Sequence, residues 1–389
     1  MSAFWSTQET GLKNGANEAD DRTIGCRRRT DTFAIESSKR LREAHKRQAR
    51  GECAFNDFYD KQAFGLLRSF FEGARPNIVH VNYCYFSWMA LAGEGIVEHR
   101  VIDTHDLISR RLALVRSINS ICGGPPQNCA VVPETAYKQD FFISLRYQQE
   151  PQELEFLSGF DTVMQISPSE TDTLSQRIGS DNVRCVPMHM PFVPAITKPD
   201  GNAVFIGGRN PFNVVAAAAI QNFIAPYAQA TLRRDSDSPP IEVFGPVCEA
   251  MKPTDGLMLH GQVANVGMVY ENCGLALCPI PCGTGQNVKI VEALSRGVPV
   301  LAFSSVGKTA GIEHGVNGML FQSLFEMRRA FVELMDDPDA LGSLQRSTHQ
   351  WASKKFTPQA LTASVADALT TTGFALPEPQ QVDGKDIAS

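Results

Sequence analysis

No Cys-x-x-Cys pair occurs in the 389 residues, and the ten cysteines are scattered from Cys26 to Cys282. That spacing excludes a disulfide-framed mini-protein, and the thiols read as reduced and mostly buried. Cys273, Cys278 and Cys282 lie close together, yet no histidine flanks them and two sit in or beside an apolar run, so no metal site is expected. Also missing is an uncharged apolar run of the roughly 18 residues a membrane helix needs. The longest candidate, 214–230, contains Gln221 and Asn222 and breaks at Pro226. The opening MSAFWSTQET has neither the basic nor the apolar segment of a secretory signal. The expectation is a cytoplasmic protein with at most peripheral contact at the inner face of a membrane. Positive charge is in deficit: 36 Lys and Arg stand against 42 Asp and Glu, a net charge of -6, which disfavours nucleic acid as a partner.

With 43% apolar residues the chain can bury sizeable cores, and its length suggests two domains. Residues 1–50 are polar, with basic clusters at Arg27-Arg28-Arg29 and from Lys39 to Arg50, and are expected to be loosely ordered or a solvated helix. Leu41, Ala44 and Ala49 offer too little apolar surface for lipid insertion. From Phe55 the texture alternates short β-rich and helical runs, the pattern of parallel sheets covered by helices. Strands are predicted at 77–82, 100–104, 161–166, 183–186, 203–206, 241–244, 275–279 and 299–303. Phe64, Leu67, Phe70 and Phe71 have helical spacing, with a stop at Gly73 before Pro76. Three prolines and a glycine in Pro191–Gly201 mark the domain boundary, dividing the chain into 51–195 and 196–372, with a disordered tail over 373–389.

The most informative stretch is LALCPIPCGTGQNVKIVEALSRGVPVLAF, from Leu275 to Phe303. An apolar strand leads into Gly283-Thr284-Gly285, then a helix from about Gln286 to Arg296 closed by Gly297. A glycine-rich turn at a helix N-terminus gathers unpaired N–H groups and the positive end of the helix dipole, which suits a phosphate. Lys289 and Glu292, three apart, share a helix face. A cation near a diphosphate and a carboxylate for ribose hydroxyls are what a nucleotide-sugar donor requires. The competing reading is a tight connection with a surface ion pair. A dinucleotide fingerprint fits less well, because Val288 stands at its third glycine and the motif lies deep in the chain. The turn also lacks the Gly-Lys-Ser/Thr of a P-loop.

The segment GTGQNVKIVEALSRGVPVLA resembles the donor-binding motif of retaining glycosyltransferases of group 1 (family 4), which share the two-domain GT-B fold. NIVHVNYCYFSWMA, VIDTHDLISRR, FDTVMQISPSE and NAVFIGGRNPFNVVA resemble further family segments in the same order, over about Phe55 to Leu369. The resemblance implies two Rossmann-like domains facing a cleft, 51–195 on the acceptor side and 196–372 binding the nucleotide sugar, with no cofactor or metal. It implies that Glu292 holds the ribose, that Gly283, Thr284, Gly285 and Lys289 cradle the diphosphate, and that Arg209 in the Gly207-Gly208-Arg209 turn adds a phosphate contact. His105 matches the family histidine facing the donor sugar, flanked by Asp103 and Asp106. Against this stands the plain reading of a lone structural histidine; its place at a strand's C-terminal end favours function. Tyr83, Tyr85 and Trp88 suit sugar stacking but equally a core.

Two departures stand out. Many members carry a second glutamate eight positions before the ribose glutamate, where this chain has Thr284. Nothing in residues 1–50 resembles the family's opening strand and loop, so the N-terminal domain is expected to be truncated or strongly diverged and the gene product incomplete. The first hypothesis is transfer of a sugar from a nucleoside-diphosphate donor to a glycan or lipid-linked acceptor. Its rivals are a degenerate nucleotide binder without turnover and a nucleotide-sugar epimerase.

Overall fold

A computed structural model describes residues 39–52, 55–145, 151–179, 181–232 and 240–374. The expectations for 1–38, and for the tail from Ala375 on, lie outside the described residues. The basic stretch Lys39–Arg50 is a helix that packs through buried Ala44 and lies beside the helix Ile108–Ile121, whose Arg116 donates to the Gly51 carbonyl at 2.9 Å. The helix Lys61–Ala74 starts where Asp60 accepts from the backbone N–H groups of Gln62 and Ala63. It buries Ala63, Leu67 and Phe71 and ends at left-handed Arg75.

All eight expected strands form, each within one residue of its expected ends, and all pair in parallel. Strands β1 (Ile78–Asn82), β2 (His99–Asp103), β3 (Thr162–Gln165) and β4 (Val183–Cys185) make a four-stranded sheet in sequence order. Six more strands form the second sheet: β5 (Ala203–Ile206), β6 (Ile241–Phe244), β7 (Leu257–Gly261), β8 (Leu275–Cys278), β9 (Val300–Phe303) and β10 (Gly318–Phe321). Their order is β10-β9-β8-β5-β6-β7. The two parallel β/α units face a cleft. Central β8 and β9 are buried at every position and read as apolar runs, as strands covered on both faces must. Edge strands β7 and β10 were not expected from sequence: the burial of β7 alternates, and β10 is only half-buried at its two middle residues.

The chain crosses from β4 to β5 without helix or strand, held along the second unit by Val193 N–H to Ser295 O at 3.2 Å and Ala195 N–H to Arg296 O at 2.9 Å. Two segments cross the other way. Cys129, Ala136 and Phe142, between β2 and β3, join the core of the second unit. The helix Pro358–Thr371 returns to the first sheet, setting Ala368 and Leu369 against Val101, Met164 and Val186. These exchanges fix how the strand ends of one unit meet those of the other.

Candidate active site between the two sheets

Strand β2 ends at Asp103, and two residues on His105 takes φ 57°, a left-handed conformation uncommon for a residue with a Cβ. Asp103 Oδ1 accepts from the His105 backbone N–H at 3.1 Å, which fixes the turn. The His105 ring stacks on Tyr83, with centroids 4.3 Å apart and planes at 27°. Tyr83 follows β1, is 43% exposed and also has positive φ, 66°. Two neighbouring strand ends thus hold unusual backbone at one place, beyond the carboxyl ends of a parallel sheet, where ligands bind. Tyr85 and Trp88 are buried in the core.

Asp106 lies at the entry to the helix Ile108–Ile121 and is buried. Its Oδ2 pairs with Arg111 at 2.8 Å and accepts from the Thr284 hydroxyl at 3.0 Å, reaching across the cleft. Gly285, at φ 59°, packs so close that an added methyl would lie 2.2 Å from the His105 carbonyl oxygen. Only glycine suits that position. Gln286 ties the turn down further: its Oε1 accepts from Met188 N–H at 2.6 Å and its Nε2 donates to Thr309 O at 2.8 Å. The helix then runs Val288–Ser295, with Asn287 as its cap.

Lys289 is half-buried in a narrow crevice with Ile206, Tyr270 and Cys278, and burial lowers its pKa. Glu292 lies one turn on, its pKa raised by burial and opposed by Arg296, whose guanidinium sits 3.7 Å away. The ribose candidate therefore already has an intramolecular partner. Arg209 pairs with Glu249 at 3.1 Å and donates to the Gln127 carbonyl at 3.4 Å. Gly207 and Gly208 form the turn after β5: the Gly208 carbonyl accepts from Asn213 Nδ2 at 2.8 Å, and a methyl on Gly207 would lie 3.2 Å from Val247. The structure thus brings His105 and Asp106 against Thr284 and Gly285 directly, with Asp103 bracing the turn. It gives Arg209 and Glu292 partners of their own.

Residues 240–337, spanning β6 to the helix after β10, match the family described as glycosyl transferases group 1. Over that quarter of its length the chain is similar to the group 1 glycosyltransferases. No curated protein sequence matches. Similar solved structures give the fold. TarM of S. aureus has a TM-score of 0.56 at 10% identity over 78% of this chain and 58% of its own. HepE of Anabaena, in complex with UDP, gives 0.54 at 14% identity over 79% and 82%. Sucrose-phosphate synthase from Thermosynechococcus elongatus gives 0.52 at 14% over 86% and 82%. The chain therefore has the two-unit architecture of the GT-B fold, and it spans 58% of the length of TarM.

Three charged residues at this site escaped the sequence reading. Glu170, buried at the start of the helix Pro168–Ile178, accepts from Leu107 N–H at 3.2 Å and pairs with Arg110 at 3.4 Å. Burial pushes its carboxyl up to about 7 and Asp106 adds to this, while Arg110 and the backbone N–H of Gly285 and Leu107 pull down. Glu153, also pushed up to about 7 by burial, accepts from Ile108 N–H at 2.7 Å and caps the helix that follows Asp106. Burial pushes the Cys282 thiol up and Arg110 opposes it. The paired Arg110-Arg111 of VIDTHDLISRR was the available signal. Glu170 and Glu153 gave none, because they act through backbone groups distant in sequence. A Gly307-Lys308-Thr309 triplet also escaped notice, but Ala302 in β9 stands where a P-loop has its first glycine.

Proposed function

We infer that the protein transfers a sugar, with retention at the anomeric carbon, from a nucleoside-diphosphate sugar to a glycan or lipid-linked acceptor. The observation that carries the reading is the 3.0 Å bond from Thr284 to Asp106, which sets His105 of one unit over the Gly283–Gly285 turn of the other. In this reading the diphosphate sits at the turn beside Lys289 and Arg110, Glu292 exchanges Arg296 for the ribose hydroxyls, and Gly207-Gly208-Arg209 borders the phosphate from β5. His105, with Asp103 behind it, faces the sugar. Negative charge grows on the departing diphosphate, and fixed donors already aimed at it lower the barrier without reorganising. HepE is described with UDP-glucose, so uridine donors are tried first.

The test is a thermal-shift screen of UDP, GDP, ADP and their sugars, followed by transfer or hydrolysis of the best donor, with the anomeric configuration of the product read by NMR. No shift with any nucleotide removes the reading, and an inverted product removes retention. A second reading, nucleotide binding without turnover, is favoured by one observation: Asp106 and Glu170 engage the Thr284 hydroxyl and the Gly285 N–H. Binding without sugar release across a broad acceptor panel would select it.

A further inference from the structure

A cavity of about 310 Å3 lies between one face of the first sheet and the helix Pro358–Thr371. Along a strand, alternate residues share a face, so Ile78, Val101 and Met164 form its apolar floor. Leu361, Val365 and Leu369 of the helix form its roof. The helix seats tightly at its C-terminal end, where Leu369 is 9% exposed, and stands off at Leu361, which is 40% exposed. That divergence opens the space.

The cavity changes character toward the cleft. Asp103 and His105 line it two and four residues beyond Val101 in the chain, so it is continuous with the candidate active site. His80 borders it with a pKa lowered by burial, which keeps the imidazole neutral at pH 7. His189 also lines it, and its Nε2 is buried with no hydrogen-bond partner. The result is an apolar chamber with a few polar groups converging at one end, the usual make-up of a small-molecule site.

We propose that this cavity takes the aliphatic chain of the acceptor, so that the substrate class is an alcohol carried on an alkyl chain. The deduction rests on the transferase reading above. A bare glycan in this chamber would press its hydroxyls against Ile78, Val101, Met164 and Val365, where they find no partners. An alkyl chain meets those walls favourably and leaves its terminal hydroxyl beside Asp103 and His105. There the acceptor oxygen bonds to the anomeric carbon while the bond from that carbon to the diphosphate oxygen breaks. The electron pair of the broken bond leaves on the diphosphate, and the hydroxyl proton passes to it.

The test is calorimetric binding of n-alkanols of increasing length to the full chain, with no donor present. Each added methylene should tighten binding roughly fourfold until the cavity is full. Val365→Phe should abolish that dependence, and a UDP thermal shift retained in the variant certifies its fold. If Val365→Phe does not fold, Leu361→Trp, at the more exposed end, serves in its place. Absence of alkanol binding, affinity independent of length, or an undiminished dependence in the filled variant overturns the proposal. Alkanol binding without any sugar transfer leaves the cavity assignment standing and sinks the transferase reading. Equal transfer to acceptors with and without an alkyl chain does the reverse.

Discussion

The Asp106 carboxylate and the Thr284 hydroxyl, 178 residues apart in the chain, meet at 3.0 Å across the cleft. The same carboxylate oxygen takes Arg111 at 2.8 Å, while Oδ1 is buried without a partner. Thr284→Val should remove the cross-cleft bond and cost about 1.5 to 3 kcal/mol, the range for a hydrogen bond to a charged group. Urea denaturation measures the loss, and unchanged stability together with unchanged transfer would show that the bond couples nothing.

Gly285→Ala places a methyl where the His105 carbonyl stands and imposes a Cβ at φ 59°. The two strand-end turns must then separate. The expected outcome is near-native circular dichroism with kcat lowered at least tenfold, because small misplacements of reacting groups cost rate steeply. Wild-type kcat in this variant would mean that the contact plays no part in catalysis.

Lys289→Ala should weaken nucleoside diphosphates far more than the bare nucleoside. Glu292→Ala should weaken both, roughly tenfold to a hundredfold, through loss of a charge-assisted contact to the ribose. Calorimetry with UDP and uridine on the two variants gives the four affinities. A pattern with equal losses for Lys289→Ala contradicts its phosphate role.

His105→Ala should lower kcat/KM for transfer while leaving affinity for the free diphosphate nearly unchanged, since the nucleotide is held by the other unit. Steady-state kinetics beside calorimetry separates this from a structural role, in which both quantities would fall together.

The buried Glu153 and Glu170 carboxyls are each pushed up to about 7 from 4.5. Between those values the folded chain binds more protons than the unfolded one, so these groups stabilise the fold below pH 4.5 and their contribution is lost as pH rises through 7. Their share of stability should therefore fall between pH 5 and pH 8. Glu170→Gln, which keeps an acceptor for Leu107 N–H without the charge, should flatten part of that slope in urea melts at several pH values. An unaltered slope would place the titration elsewhere.

The inner strands β3, β8 and β9 were legible because parallel strands covered on both faces read as short apolar runs, and the edge strands β1 and β4 through their β-branched residues; β7, with alternating burial, and β10, half-buried in its middle, lie at the edges of the second sheet and gave no such signal. The Gly283–Gly285 turn and the helix carrying Lys289 and Glu292 were legible for the same local reason: a tight turn needs glycine, and a helix presents residues three apart on one face. His105 was legible through its place at a strand end. The tertiary structure alone decided what those groups touch. Glu292 meets Arg296 and Arg209 meets Glu249, pairings that depend on side-chain geometry rather than on motif. Asp106 finds Thr284, and Glu170 finds Leu107 and Arg110, through contacts between elements far apart in the chain, which no local pattern encodes. The cavity under His105 arises where the last helix diverges from a sheet whose strands lie far earlier in the chain, and only the packing of the two could create it.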